Sequence, residues 1–294
     1  MRALKGKPKE LGPETRHVGL IVTSRSSKWP ELVVDEYHYF DKTNECLRAE
    51  ELDRVFGNRL HLVRNYPPCF FAGRVGASQF CLLGLNPGYS KGRSTVERRI
   101  YAENAARYGE KGWEETYLTF FEWFQRNNLG SRYYSRFAVL LSGILEEKEI
   151  PQDKANRYKL LAENLVNIDL IPYHSKRIKL RYAQNDLHQK RLLKLYLGNL
   201  IRLIRLCKPR VLFIDGAPYR SLLKDDLVNE SLQFVEGELP IEINDRLRAR
   251  MGVCLKFTTV WFDKFLTSPK AHPTNDELYI AGKKIGKALK ARTQ

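Results

Sequence analysis

The 294-residue chain predicts an α/β fold: three layers, α/β/α, around a central, mainly parallel four-stranded sheet. Three observations carry that expectation. Four short apolar runs of strand length occur, at Phe80–Leu85, Leu165–Tyr173, Val211–Gly216 and Leu255–Phe262. Such near-continuous runs are the mark of strands buried on both faces, as parallel strands are. Longer segments with helical apolar spacing lie between them. The two kinds alternate with no internal repeat, which argues for crossover connections.

Residues 1–16 are charged and carry Pro8 and Pro13, which suits a basic arm. Val18–Val22 reads as a strand. Leu32–Phe40, rich in β-branched and aromatic residues, reads as another. Asn44–Phe56 suits a short helix, and Arg64–Cys69 a loop, because Pro67 and Pro68 exclude helix. Helices are predicted over Thr95–Tyr108, Trp113–Asn128, Arg132–Glu147 and Lys154–Leu165. The clearest helix is Asp186–Leu206, with Leu192, Leu193, Tyr196, Leu200, Leu203 and Ile204 on its apolar face. A basic helix, Gly282–Ala291, ends the chain. The organisation expected is a basic arm and accessory segment over 1–60, then one α/β domain over 61–294.

The formal net charge is +16. A balance so basic favours an anionic polymer, through release of phosphate counterions, so DNA is the expected partner. Arg191, Lys194, Arg202 and Arg205 lie opposite the apolar face of the clearest helix, as a solvated face or a phosphate track. The five cysteines are scattered and none forms a Cys-x-x-Cys pair, so neither a disulfide framework nor a zinc site is expected. No run approaches the ~20 apolar residues of a membrane span. No signal peptide is evident, and a cytoplasmic monomer without a cofactor is expected.

Two stretches carry chemistry. The first is Phe80–Ser90, a strand that ends in Gly84-Leu85-Asn86-Pro87-Gly88-Tyr89. Asn86 stands at the carboxyl end of a strand, where open α/β sheets place ligands; it also suits a plain turn. The second is Thr259–Phe262 followed by Ala271-His272-Pro273-Thr274-Asn275. A further strand carries Asn167 and Asp169, two apart and so on one side. Same-side polar groups in an apolar strand need partners, which points to a site or a local cap.

Together these stretches resemble the uracil-DNA glycosylase superfamily over roughly Phe71 to Leu289. The Asn-Pro-Gly with His-Pro is most similar to the single-strand-selective monofunctional branch, and the Asn-Pro-Gly alone to the mismatch-specific branch. The resemblance implies hydrolysis of a base–sugar bond in DNA after the base leaves the stack. It implies that Asn86 orients the water and that His272 donates to the departing base. It implies a base pocket at Gly88, Tyr89, Asn167 and Asp169, with Asn167 the first choice as reader. Thr274, in the place of the family's Ser, is expected to grip phosphate, together with Lys176, Arg177 and Lys179. Asn275 departs from the family's pattern, where a Pro commonly stands. Gly88 replaces a Tyr that in the uracil-specific branch blocks 5-substituted bases, so a wider pocket is implied. Uracil, its oxidised relatives and bulky modified pyrimidines of phage DNA all fit that expectation. The alternative is a nucleic-acid-binding module on the same fold without activity.

Overall fold

The computed structural model describes residues 28–176, 186–216, 232–233, 235–236, 240–268 and 271–292. The Val18–Val22 strand, Arg177 and Lys179 lie outside them. The helices are α1 (Glu31–Thr43), α2 (Ala49–Val55), α3 (Lys91–Tyr108), α4 (Gly112–Leu118), α5 (Phe120–Arg126), α6 (Arg132–Ile144), α7 (Lys154–Asn164), α8 (Leu187–Cys207) and α9 (Asn275–Ala291). The strands are β1 (Phe71–Ala72), β2 (Phe80–Gly84), β3 (Leu165–Asp169), β4 (Val211–Asp215), β5 (Val235–Glu236), β6 (Ile241–Asn244), β7 (Leu247–Cys254) and β8 (Phe257–Phe262).

The sheet is mixed and flanked by helices. Seven strands follow the order β1-β3-β2-β4-β8-β7-β5, and β6 pairs with β7. Its centre, β3-β2-β4-β8, is parallel throughout, and these are the four strands expected. The sheet is nonetheless wider than four strands. Antiparallel β1 adds to β3 on one side, and antiparallel β7, with β5 and β6, adds to β8 on the other. These additions escape the apolar-run rule for a physical reason. β7 alternates buried and exposed residues over much of its length, as a strand with one solvated face does. β1 and β5 are two residues long.

Leu32–Phe40 is not a strand. It lies within α1, whose buried residues are Leu32, Val33, Glu36, Tyr37 and Phe40, a helical stripe. Tertiary packing here overrides β-branched and aromatic composition. The aromatic segment Trp113–Asn128 forms two helices, α4 and α5, that meet at Thr119. Its rings pack into the core as expected. Residues on both sides of position 60 join one hydrophobic cluster. Trp29 stacks on Phe71 with centroids 4.6 Å apart, and Tyr37 on Trp113 at 4.3 Å. Among the described residues, no helix is long and apolar enough to cross a membrane.

α9 packs against α6 at bare glycines. A Cβ on Gly282 would lie 2.1 Å from the Leu140 carbonyl oxygen, and one on Gly143 2.2 Å from that of Tyr279. Thr274 begins α9 with a capping box: its Oγ1 accepts from Glu277 N at 3.1 Å, and Glu277 Oε2 accepts from Thr274 N at 2.6 Å. The opposite case is Gly198 in α8, where a Cβ would meet nothing within 4 Å. Gly282→Ala is therefore expected to force the two helices apart and cost about 1–3 kcal/mol or more. Gly198→Ala is expected to stabilise by about 0.5–1 kcal/mol. Chemical denaturation of both variants checks the contrast, and equal effects would remove the close-packing argument.

Candidate active site

The parallel centre runs β3-β2-β4-β8, so the chain turns first to one side of β2 and then to the other. Open sheets leave a crevice outside the carboxyl ends of such strands. A cleft of about 480 Å³ lies there. Its walls come from the end of β2 (Gly84–Gly88), from Asn167 and Asp169 on β3, and from Phe265 and Thr267 beyond β8. Glu97 of α3, Tyr133 and Tyr134 of α6, and His174 close the rest. The volume falls within the range of small-molecule sites. A larger depression is lined by the α6–α7 turn and α7, the helix that leads into the amino end of β3, and includes none of the residues at the carboxyl ends of the strands.

Asn86 and Gly88 line this cleft. Asn86 Nδ2 donates to the Pro87 carbonyl at 2.9 Å and to the Tyr173 carbonyl at 3.3 Å. The nitrogen end of the amide is thus engaged twice, and Oδ1 remains as an acceptor. Gly88 pairs with Ser175 in an isolated parallel bridge, and Tyr89 N donates to Ser175 O at 3.0 Å. The positive-φ glycines described are Gly57, Gly73, Gly76, Gly109 and Gly216; Gly88 is not one of them. The turn therefore does not require glycine at 88 on conformational grounds. Tyr89 is not in the cleft wall. It packs edge-on against Tyr66, and Lys176 Nζ lies 5.9 Å from its ring centroid.

Asn167 and Asp169 do share one side of β3, and Asn167 Nδ2 donates to Asp169 Oδ2 at 3.0 Å. Two residues that sequence reasoning did not assign to the site join them. Glu97 and His174 are 1% and 2% exposed, with Glu97 Oε1 3.6 Å from His174 Nε2. Tyr117 donates to Glu97 Oε1 at 3.4 Å. His174 Nδ1 lies 3.4 Å from Gly88 O, a pure acceptor, so this contact requires Nδ1–H. A signal for Glu97 existed. It shares a helical face with Ser94, Ile100 and Tyr101, all buried, so a carboxyl sits in the apolar register. His174 carries no comparable pattern.

His272 does not line the cleft. It is exposed, with φ 30, in the left-handed region that few residues other than glycine adopt. Its Nδ1 lies 3.3 Å from Arg132 Nη2. A guanidinium only donates, so Nδ1 is the acceptor in this contact. Arg132 sits between Ser131 and Tyr133, both in the cleft wall, which puts His272 at the rim. Arg136 holds the same segment, donating to Leu266 O at 2.9 Å and to Pro273 O. Burial and the neighbouring Arg132 pull its pKa down. Thr274 is occupied by the helix cap, and the Glu277 carboxylate already stands at that helix start. Lys176 is exposed beside Tyr89.

Among the described residues, no group of three or more His, Cys, Asp or Glu side chains is arranged to hold a metal ion. No protein-family model matches the chain, and no curated protein matches it.

Behind the cleft wall, Asp215 ends β4 fully buried. Its Oδ1 accepts from Leu266 N at 3.1 Å, which ties the segment bearing Phe265 and Thr267 to the sheet. Tyr133 bonds the same carboxyl. Burial pushes the group from the ordinary 3.8 up to about 7, outweighing both hydrogen bonds. A raised folded-state pKa contributes stability that is present below pH 3.8 and is lost as pH rises through about 7. The full difference is up to about 4 kcal/mol. Asp215→Asn removes this dependence, so its stability relative to the parent should rise between pH 4 and 8. Urea unfolding at both pH values measures it, and a constant difference would show that the carboxyl stays ionised.

Proposed function

We propose that the chain is a monofunctional DNA glycosylase that hydrolyses the N-glycosidic bond of a flipped-out pyrimidine, uracil-type or 5-modified, and leaves an abasic site. The observation that carries this reading is the state of Asn86. Its amide is pinned by two carbonyls through nitrogen, and its oxygen is left as an acceptor in a cleft at the carboxyl ends of parallel strands. An amide oxygen cannot remove a proton at neutral pH, but it orients a water. In the reaction, water oxygen bonds to C1′ as the C1′–N bond breaks. The electron pair leaves with the base, and the water's proton passes to base or solvent. A hydrogen bond to the departing base stabilises the charge that develops there.

Charge elsewhere on the molecule supports the reading. The cations Arg191, Lys194, Arg202 and Arg205 are exposed on α8, which suits phosphate contact along DNA. The +16 charge works in the same direction. Extrusion of the base costs a few kcal/mol in a duplex and less in single strands. The partner is DNA, the acting unit is one chain, and the same chemistry serves repair or defence against phage with modified bases. A second reading, a DNA-binding module without activity, is favoured by one observation: His272, the expected donor to the base, stands outside the cleft wall.

Incubation with oligonucleotides bearing uracil, 5-hydroxymethylated or glucosylated pyrimidines, then alkali, decides between the two readings. Strand breaks report abasic sites; binding without breaks supports the module. Asn86→Ala is expected to slow release at least about 100-fold while DNA affinity holds. His272→Ala is expected to lose less, because the residue sits at the rim. Parent-like release from Asn86→Ala would overturn the assignment.

Gly88→Tyr tests the pocket's width. The φ at 88 gives tyrosine no backbone penalty, so its ring should fill the space beside the base. Bulky 5-substituted bases are then expected to lose far more release than uracil. An unchanged ratio of the two rates in a folded variant would end the open-pocket argument.

A further inference from the structure

One part of the cleft floor presents acceptors. Asn167 Nδ2 donates to Asp169 Oδ2 at 3.0 Å. A carboxylate only accepts, so this bond settles the orientation of the amide: nitrogen toward Asp169, Oδ1 away from it. Asn167 is 1% exposed, and Oδ1 has no hydrogen-bond partner among the described residues. Gly84 lies across from both, on the neighbouring strand. A Cβ added there would stand 2.1 Å from Asp169 Oδ1 and 3.5 Å from Asn167 Oδ1. Asp169 Oδ1 thus takes up the space that the missing side chain leaves, with Asn167 Oδ1 beside it, and all three residues line the cleft. A buried acceptor without a donor costs about 1–3 kcal/mol, which a ligand that supplies the donor recovers.

We propose that this edge reads an exocyclic amino group, so that the base taken is of the 4-amino, cytosine type rather than the 4-keto, uracil type. The proposal rests on the glycosylase reading above and narrows its substrate. Cytosine carries an N4 amino group with two donor hydrogens, where thymine and uracil carry the O4 acceptor. The two hydrogens match Asn167 Oδ1 and the Asp169 carboxylate. A uracil-type base brings only N3–H as a donor and sets O4 against a carboxylate. A site built to hydrogen-bond a substrate group rejects the analogue that lacks it far more strongly than an apolar pocket rejects a methylene. Gly84 is the permissive element, because any side chain there would displace Asp169.

The test uses two oligonucleotides that differ only at position 4 of one base: 5-hydroxymethylcytosine against 5-hydroxymethyluracil. The 5-substituent is constant, so the width at Gly88 cancels. The parent is expected to release the cytosine-type base at least about 100-fold faster. Asp169→Asn, which places an amide beside the edge, and Asn167→Ala, which removes Oδ1, are each expected to narrow that ratio, with folding checked by circular dichroism. Uracil-type release equal to or faster than cytosine-type overturns the proposal and leaves the glycosylase reading standing. A cytosine preference untouched by both folded variants overturns the assignment to Asn167 and Asp169. Release of neither base from any oligonucleotide overturns the glycosylase reading. Calorimetric titration of the two free nucleosides into the parent reads the edge without catalysis. Tighter binding of the cytosine nucleoside supports the proposal; equal or undetectable binding of both overturns it.

Discussion

The pairing of Gly84 with Asp169 is the contact on which the cleft depends. β2 and β3 run parallel in a register that sets Phe80 beside Leu165 and ends with Gly84 beside Asp169. Every residue of both strands is buried, so the register is held by apolar packing along their whole length. At the last pair the chemistry changes. A carboxylate lies where a neighbouring side chain would be, and it fits because Gly84 has none. A one-residue slip would send Asn167 and Asp169 to the opposite face of the sheet. The core thus specifies the site's polar floor indirectly, through the strands that deliver it.

A buried carboxyl on α1 makes the N-terminal helices part of the same construction. Glu36 accepts from Tyr173 Oη at 2.8 Å, from Arg48 Nη1 at 3.0 Å and from Leu47 N at 3.1 Å. Burial raises its pKa against the pull of these partners. Tyr173 is the pivot. Its hydroxyl joins α1 to Tyr196 of α8, its carbonyl accepts from Asn86, and His174 follows it into the cleft. A buried ion that loses one partner is strongly destabilising. Changes at Glu36 would therefore reach Asn86 through two hydrogen bonds, and changes at Arg48 through three. Helices that read as an accessory layer in the sequence are thus linked to Asn86 in the cleft wall.

What was legible in the sequence follows from how many neighbours a residue needs to be understood. β2, β3, β4 and β8 are buried on both faces, so their apolar runs announce them without further context. The stripe of α8 is equally plain. α1 was misread because valine and aromatic content suggested a strand, while the spacing of Leu32, Val33, Glu36, Tyr37 and Phe40 is helical. β5–β7 stayed hidden because half-solvated strands dilute their apolar residues with charge. In the cleft wall, Asn86, Gly88, Asn167 and Asp169 are residues the sequence singles out, because polar or turn residues interrupt or end apolar strand runs there. Glu97 and His174 were missed because only tertiary structure brings a mid-helix carboxyl to a loop imidazole. His272 shows the converse: a local motif drew attention to it, but its contact with Arg132 places it at the rim.

The distribution of charge separates two tasks within one molecule. The chain is strongly basic, and its exposed cations on α8 suit the phosphates of a polymer. Among the described residues, the lining of the cleft includes no Lys or Arg; it holds Glu97, Asp169 and the side-chain amides of Asn86 and Asn167, beside hydroxyls and His174. An acceptor-rich recess would repel a phosphate and favour a group that brings hydrogen-bond donors. On the proposed reading, cations outside and acceptors inside would sort one nucleotide by its parts, with the backbone held at the surface and the base drawn inward. Phosphate contact would then supply affinity that is indifferent to the base, and the recess the discrimination. Buried acceptors discriminate strongly because each must find a donor or bear its desolvation uncompensated. On the same proposal, the small area of floor between Gly84, Asn167 and Asp169 would govern selectivity more than the exposed cations of α8.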